Sequence, residues 1–126
     1  MLISIDFESE TPIYAQIKDE IIQGIAKGYL KAGDSLPSVR QLASDIGINL
    51  HTVNKAYNVL KAEGFITLDR RKGAIISNNI KQSKEDILEG IKKQITPVIN
   101  ESFCKGITKE ELIEILNKLY DQLGDG

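Results

Sequence analysis

The stretch Val39-Arg40-Gln41-Leu42-Ala43-Ser44-Asp45-Ile46-Gly47-Ile48-Asn49-Leu50-His51-Thr52-Val53-Asn54-Lys55-Ala56 decides how this chain folds. Two short helical patterns meet in it at one glycine. Leu42, Ala43 and Ile46 share one face of the first helix. Val53, Ala56, Tyr57 and Leu60 carry the apolar face of the second, and Ile48 folds back under the turn. Ala43 is small enough for the helices to cross closely. Gly47 permits the positive φ that a tight inter-helix turn demands. Small, turn and apolar positions at these offsets spell a helix-turn-helix, whose second helix can lie in a DNA major groove.

The ends of both helices carry polar signals. Ser38 followed by Gln41 reads as a capping box, so the first helix opens at Ser38 with Arg40 exposed in its first turn. Asn49 caps the second helix. Its exposed residues are then Leu50, His51, Thr52, Asn54 and Lys55. The N-terminal residues of such a helix are the ones that reach base edges. Thr and Asn can hydrogen-bond bases, Leu50 can touch a thymine methyl, and Lys55 can take a phosphate or a guanine. His51 reads equally as a base contact and as a solvated side chain beside the cap.

Downstream, Gly64 stops the helix. Phe65–Leu68 and Ala74–Ser77 read as two strands around the turn Asp69-Arg70-Arg71-Lys72-Gly73. A hairpin with three cations at its tip, directly after a helix-turn-helix, reads as a wing that meets the phosphate backbone or the minor groove.

Upstream, Thr11-Pro12 opens another helix, with Thr11 as N-cap and Pro12 at the first helical position. Ile13, Ile17, Ile21 and Ile25 recur every fourth residue beside Tyr14 and Ile22, which marks an amphipathic helix. Gly28 suits the position just past its end, after which Tyr29 and Leu30 are expected to pack back on the core. Residues 2–7 alternate as a short extended segment, and Lys31–Asp34 read as a turn. The fold expected is mainly α with a small β-hairpin: a winged helix-turn-helix over residues 1–78, then a helical region over 79–126.

In that second region Ser83 caps one helix and the Thr108/Glu111 capping box opens another. Pro97 lies inside the first pattern, so a kink or break is expected near Ile95-Thr96. Ile87, Leu88, Ile91, Ile95 and Ile99, with Leu112, Leu116, Leu119 and Tyr120, present more apolar surface than one antiparallel helix pair can hide. Burial against a second copy is the natural solution, because a DNA reader gains by engaging two half-sites together. Residues 124–126 are expected to fray.

The bulk numbers exclude several classes. The net charge of −2 argues against nucleic acid until its distribution is read. Residues 38–78 hold Arg40, Lys55, Lys61, Arg70, Arg71 and Lys72 against Asp45, Glu63 and Asp69, whereas acids prevail on both sides. A local cationic face matters more to DNA than the global sum. No apolar run approaches the roughly 20 residues of a membrane span, and the N-terminus lacks the pattern of a signal peptide. Cys104 is alone, which rules out an internal disulfide and suits a reducing cytoplasm. Placed on an apolar pattern, Cys104 reads as core. With one His and one Cys, no metal-ligand cluster forms. No Ser/His/Asp set, phosphate loop or carboxylate pair with a nearby histidine points to catalysis, and no cofactor is expected.

The segments Pro12-Ile13-Tyr14-Ala15-Gln16-Ile17 and Gly33-Asp34-Ser35-Leu36-Pro37-Ser38-Val39-Arg40-Gln41-Leu42-Ala43, with Asn49, Thr52-Val53 and Ala56-Tyr57, resemble the GntR family of bacterial transcription regulators. The short two-helix tail resembles the YtrA subfamily. The resemblance implies a dimeric DNA-binding regulator, usually a repressor, often of a transporter operon beside its own gene. It implies that Arg40, His51, Thr52 and Asn54 contact DNA, with Arg70 and Arg71 at the wing tip, and that the tail sets the dimer geometry. Leu50 stands where relatives often have arginine or proline. Asn54 stands where many have arginine, and Arg71 where glycine is common. The operator sequence and the depth to which the wing enters the groove therefore stay open. The tail is too short for an ordinary effector-binding domain, and no residue identifies a small-molecule effector.

Overall fold

The computed structural model describes residues 3–124 and contains five helices and one hairpin among them. The order is α1 (Ile13–Ala26), α2 (Val39–Ile46), α3 (Leu50–Glu63), β1 (Ile66–Asp69), β2 (Gly73–Ile76), α4 (Lys84–Cys104) and α5 (Lys109–Asp121). Packing divides the chain into two units. The first runs to Lys81, and the second spans Gln82–Leu123.

The first unit has one core. Ile17 and Ile21 of α1, Leu42 and Ala43 of α2, and Val53, Ala56, Tyr57 and Leu60 of α3 are all buried. Leu36, Ile66, Ala74 and Ile76 close it from the hairpin side. These are the apolar positions of the helical periodicities, so burial of one stripe per helix organises the unit. Gly47 (φ +78°) makes the α2–α3 turn, its N–H donating to the Ala43 carbonyl.

Several local expectations need correction. The cap position of α1 falls on Pro12, which offers no side-chain hydrogen bond. Thr11 lies outside the helix, and its carbonyl instead accepts from the Gln16 side chain at 2.9 Å. The Ser38 box is half made. The Ser38 hydroxyl accepts from the Gln41 N–H at 3.0 Å, but the Gln41 amide turns to Asp45 Oδ1 at 2.7 Å. One turn along the helix, a carboxylate is a stronger acceptor partner than a backbone N–H is a donor. Leu30 packs on the core, whereas Tyr29 is exposed, because the left-handed Gly28 (φ +83°) redirects the chain. Both strands begin at a different residue than expected: Phe65 precedes β1, and Gly73 belongs to β2.

The hairpin is antiparallel, with Ile66 opposite Ile76 and Asp69 opposite Gly73. A third segment joins it, which the turn-like composition of residues 31–36 conceals. Ser35 bridges to Ile75, the Leu36 N–H donates to the Ala74 carbonyl at 2.8 Å, and the Ile76 N–H donates to the Asp34 carbonyl at 2.8 Å. The wing is thereby hydrogen-bonded to the residues that lead into Pro37 and α2.

In the second unit Ser83 caps α4 through the Asp86 N–H, and Thr108 and Glu111 complete a reciprocal box on α5. The Thr108 backbone and hydroxyl hydrogen bonds hold the Glu111 carboxyl below its ordinary range. The expected break near Ile95-Thr96 is absent, and α4 runs unbroken through Pro97. Pro97 removes one N–H, and in this exposed helix the carbonyl one turn back can turn to water. Beside it, the Thr96 hydroxyl donates to the Lys92 carbonyl one turn back. Cys104 is exposed at the end of α4 rather than buried. Leu2, Asp125 and Gly126, parts of the extended and fraying segments expected at the two ends, lie outside the described residues. Among the described residues no helix is long and apolar enough to cross a membrane, and no group of His, Cys, Asp and Glu could hold a metal ion.

Candidate nucleic-acid interface

The start of α3 is built by Asn49, whose side chain accepts from the His51 N–H at 2.7 Å. This cap leaves the first turn's side chains free. Leu50, His51, Asn54 and Lys55 are exposed and Thr52 is half-buried, while Val53, Ala56 and Tyr57 point into the core. The helix therefore shows solvent a short run of hydrogen-bonding groups along its first two turns, on a backbone held by packing.

Lys55 is less free than its exposure suggests. Its Nζ stands 4.1 Å from the ring centroid of Tyr14 on α1. Sequence reasoning gave Tyr14 no part in DNA binding; it reads there as a member of the apolar stripe and of the segment that carries the family resemblance. The cation–π contact depends on how α1 and α3 pack, so no local signal reveals it.

At the start of α2, Ser38 and Arg40 are both exposed. Their position is set by Tyr57, whose buried hydroxyl donates to the Pro37 carbonyl at 2.7 Å. Burial pushes the Tyr57 phenol up to about 12, so it remains a neutral donor at physiological pH. The buried phenol needs a partner in any fold, and that demand was the available sequence signal.

The wing tip has its own lock. Asp69 Oδ1 accepts from the backbone N–H groups of Arg71 at 2.7 Å and Lys72 at 3.1 Å. These two hydrogen bonds, that of Arg71 foremost, hold its carboxyl below the usual carboxylate range. Gly73 (φ +77°) then returns the chain to β2. The one acid of the turn is thus engaged with backbone, while Arg70, Arg71 and Lys72 project into solvent.

The second unit has no such polar display. Neither α4 nor α5 has a buried residue. Leu88, Ile91, Ile95, Ile99, Leu116, Leu119 and Tyr120 are exposed, while Ile87 and Leu112 are half-covered. Within the unit, Ile95, Ile99, Phe103, Leu112, Leu116 and Leu119 help line an apolar groove of about 600 Å³.

A helix-turn-helix followed by a cationic hairpin defines the winged-helix class of DNA-binding domain. Residues 13–76 match the family model described as bacterial regulatory proteins, gntR family. Over 129 aligned positions the chain is 40% identical to the HTH-type transcriptional repressor YtrA of Bacillus subtilis (strain 168), covering 99% of this chain and 97% of that protein. The structure of a transcriptional antiterminator from Listeria monocytogenes EGD-e superposes with a TM-score of 0.86 at 30% identity, covering 98% of this chain and 94% of the other. The DNA-binding domain of AraR, in complex with its operator ORE1, gives a TM-score of 0.51 at 26% identity over 61% of this chain and 94% of that domain. The chain belongs to the GntR family, in its YtrA subfamily.

Proposed function

We propose that this regulator acts in the cytoplasm as a homodimeric repressor of its own operon, one that includes a transporter, by binding a near-palindromic operator. The observation that carries the reading is the pair of uncovered polar surfaces on one core: the capped start of α3 and the cationic wing tip. In this reading α3 lies in the major groove. Leu50, His51, Thr52 and Asn54 face base edges, while Asn49 caps the helix beside the backbone. Arg40 reads a guanine or clamps a phosphate next to Ser38. Lys55, Arg70, Arg71 and Lys72 neutralise phosphates or enter the minor groove. The repressor role agrees with the description of the whole-length relative YtrA.

The dimer reading rests on α4 and α5. An exposed apolar face of this extent is uncommon on a free monomer and is buried when two copies pair. Residues 1–78 would then be the reading head, and 79–126 the arm that couples two heads.

The test is binding of the full chain to the region upstream of its own gene, against shuffled DNA of equal length, across a salt series. Binding that prefers the upstream region and weakens steeply with salt supports the reading. Equal binding to both DNAs overturns it.

A further inference from the structure

We propose that Tyr14 is a positioning residue for DNA binding, acting through Lys55. This rests on the reading that Lys55 meets the phosphate backbone. A lysine on an exposed helix face samples many rotamers, and ordering it on a ligand costs conformational entropy. Here part of that ordering is already done. The Lys55 ammonium sits 4.1 Å from the Tyr14 centroid, within the distance at which the ring quadrupole attracts a cation.

The ring that holds it is itself held. Tyr14 is half-buried in the first turn of α1 and packs against the core. Ile17, one turn further along α1, is fully buried, as is Val53, two residues before Lys55 on α3. The two partners are thus anchored on helices locked together by the core. Neighbouring Asn54 is exposed, and among the described residues no side-chain hydrogen bond of comparable kind holds it. Tyr14 therefore selects which of the α3 side chains arrives at DNA with a fixed position.

The experiment is a double-mutant cycle on the full chain, read by binding to its upstream DNA, with Tyr14→Leu, Tyr14→Phe and Lys55→Met. Tyr14→Phe keeps the ring and should bind as the parent does. Tyr14→Leu should weaken binding by about two- to fivefold, the range of an exposed cation–π contact. Lys55→Met should weaken it further and lower the salt slope by about 1. In the Lys55→Met background, Tyr14→Leu should have no added effect. In free protein the Lys55 side-chain methylene protons should be shifted upfield by the ring, and Tyr14→Leu should abolish the shift.

Additive effects of the two changes overturn the proposal, as does a Lys55→Met variant that binds with unchanged affinity. Equal loss in Tyr14→Phe and Tyr14→Leu also overturns it, since the hydroxyl and not the ring would then matter. Failure of the parent reading looks different: the unmodified chain would then show no preference for its upstream DNA.

Discussion

The Tyr57 hydroxyl donates to the Pro37 carbonyl across 2.7 Å and twenty residues of sequence. It ties the core face of α3 to the turn that launches α2. Pro37 precedes the cap residue Ser38, and Arg40 follows two residues later. The bond therefore fixes the start of α2 relative to α3, although both helices were already paired through Leu42, Ala43 and Val53.

Tyr57→Phe should lower stability by about 1 kcal/mol at neutral pH, because the Pro37 carbonyl loses its partner. The pH dependence has a definite sign. Burial raises the Tyr57 phenol from 10.0 to about 12, so the folded state keeps a proton that the unfolded state releases. The associated stability is complete below pH 10 and is lost as pH climbs to about 12, a change of about 2–3 kcal/mol. Denaturant melts of parent and Tyr57→Phe should therefore converge above pH 10 and cross before about pH 12, the variant becoming the more stable. Parallel curves would show that Tyr57 does not carry the alkaline loss.

Gly47 and Gly64 both have positive φ, of +78° and +90°, yet they should respond differently to alanine. A Cβ at Gly47 meets open space, so Gly47→Ala should cost about 1–2 kcal/mol, the left-handed penalty alone. A Cβ at Gly64 would collide with the Asn79 carbonyl, which lies where the chain returns to donate its Asn79 N–H to the Gly64 carbonyl. Gly64→Ala should therefore destabilise more, since backbone must move. Equilibrium unfolding of the two variants checks the order.

Arg40→Ala should lower specific binding by about 1–3 kcal/mol if its guanidinium reads a guanine bidentately. Lys72→Ala should instead weaken all DNA equally and reduce the salt slope by about 1. Anisotropy titrations on the upstream site and on shuffled DNA separate the two outcomes. Equal loss on both DNAs in Arg40→Ala would make Arg40 a phosphate contact.

Leu116→Glu places a charge in the apolar groove of the arm. Leu116 is half-exposed, so the helix itself should survive, while the proposed dimer should dissociate. Sedimentation velocity should show a monomer with unchanged helical circular dichroism. Glu114→Ala is the matched control. It removes only an exposed pair with Lys118 at 3.3 Å and should leave assembly unchanged.

Much of the first unit was legible because short-range rules and tertiary packing agree there. The isoleucine spacing of α1, Gly47 at the turn, the caps at Ser38 and Asn49 and the cation-rich hairpin each have a local cause, and each recurs in the structure. The misses arise where two local preferences compete. Gln41 could return to the Ser38 backbone or reach Asp45, and the carboxylate prevails. Pro97 should interrupt a helix, yet α4 continues, since one missing N–H in an exposed helix is tolerated. Cys104 and Tyr29 lie beside apolar patterns but outside the packed surfaces, and pattern alone does not say which face finds a partner.

Residue order by itself determined the helix-turn-helix, the wing and the uneven charge, because periodicity, caps and turn residues act over a few positions. Only tertiary structure decided the contacts that position the polar side chains. The Tyr57–Pro37 bond, the strand-like pairing of Ser35 with Ile75 and the seating of Lys55 on Tyr14 join residues far apart in the chain. Such contacts follow from how helices and hairpin share one core, and no local preference encodes them.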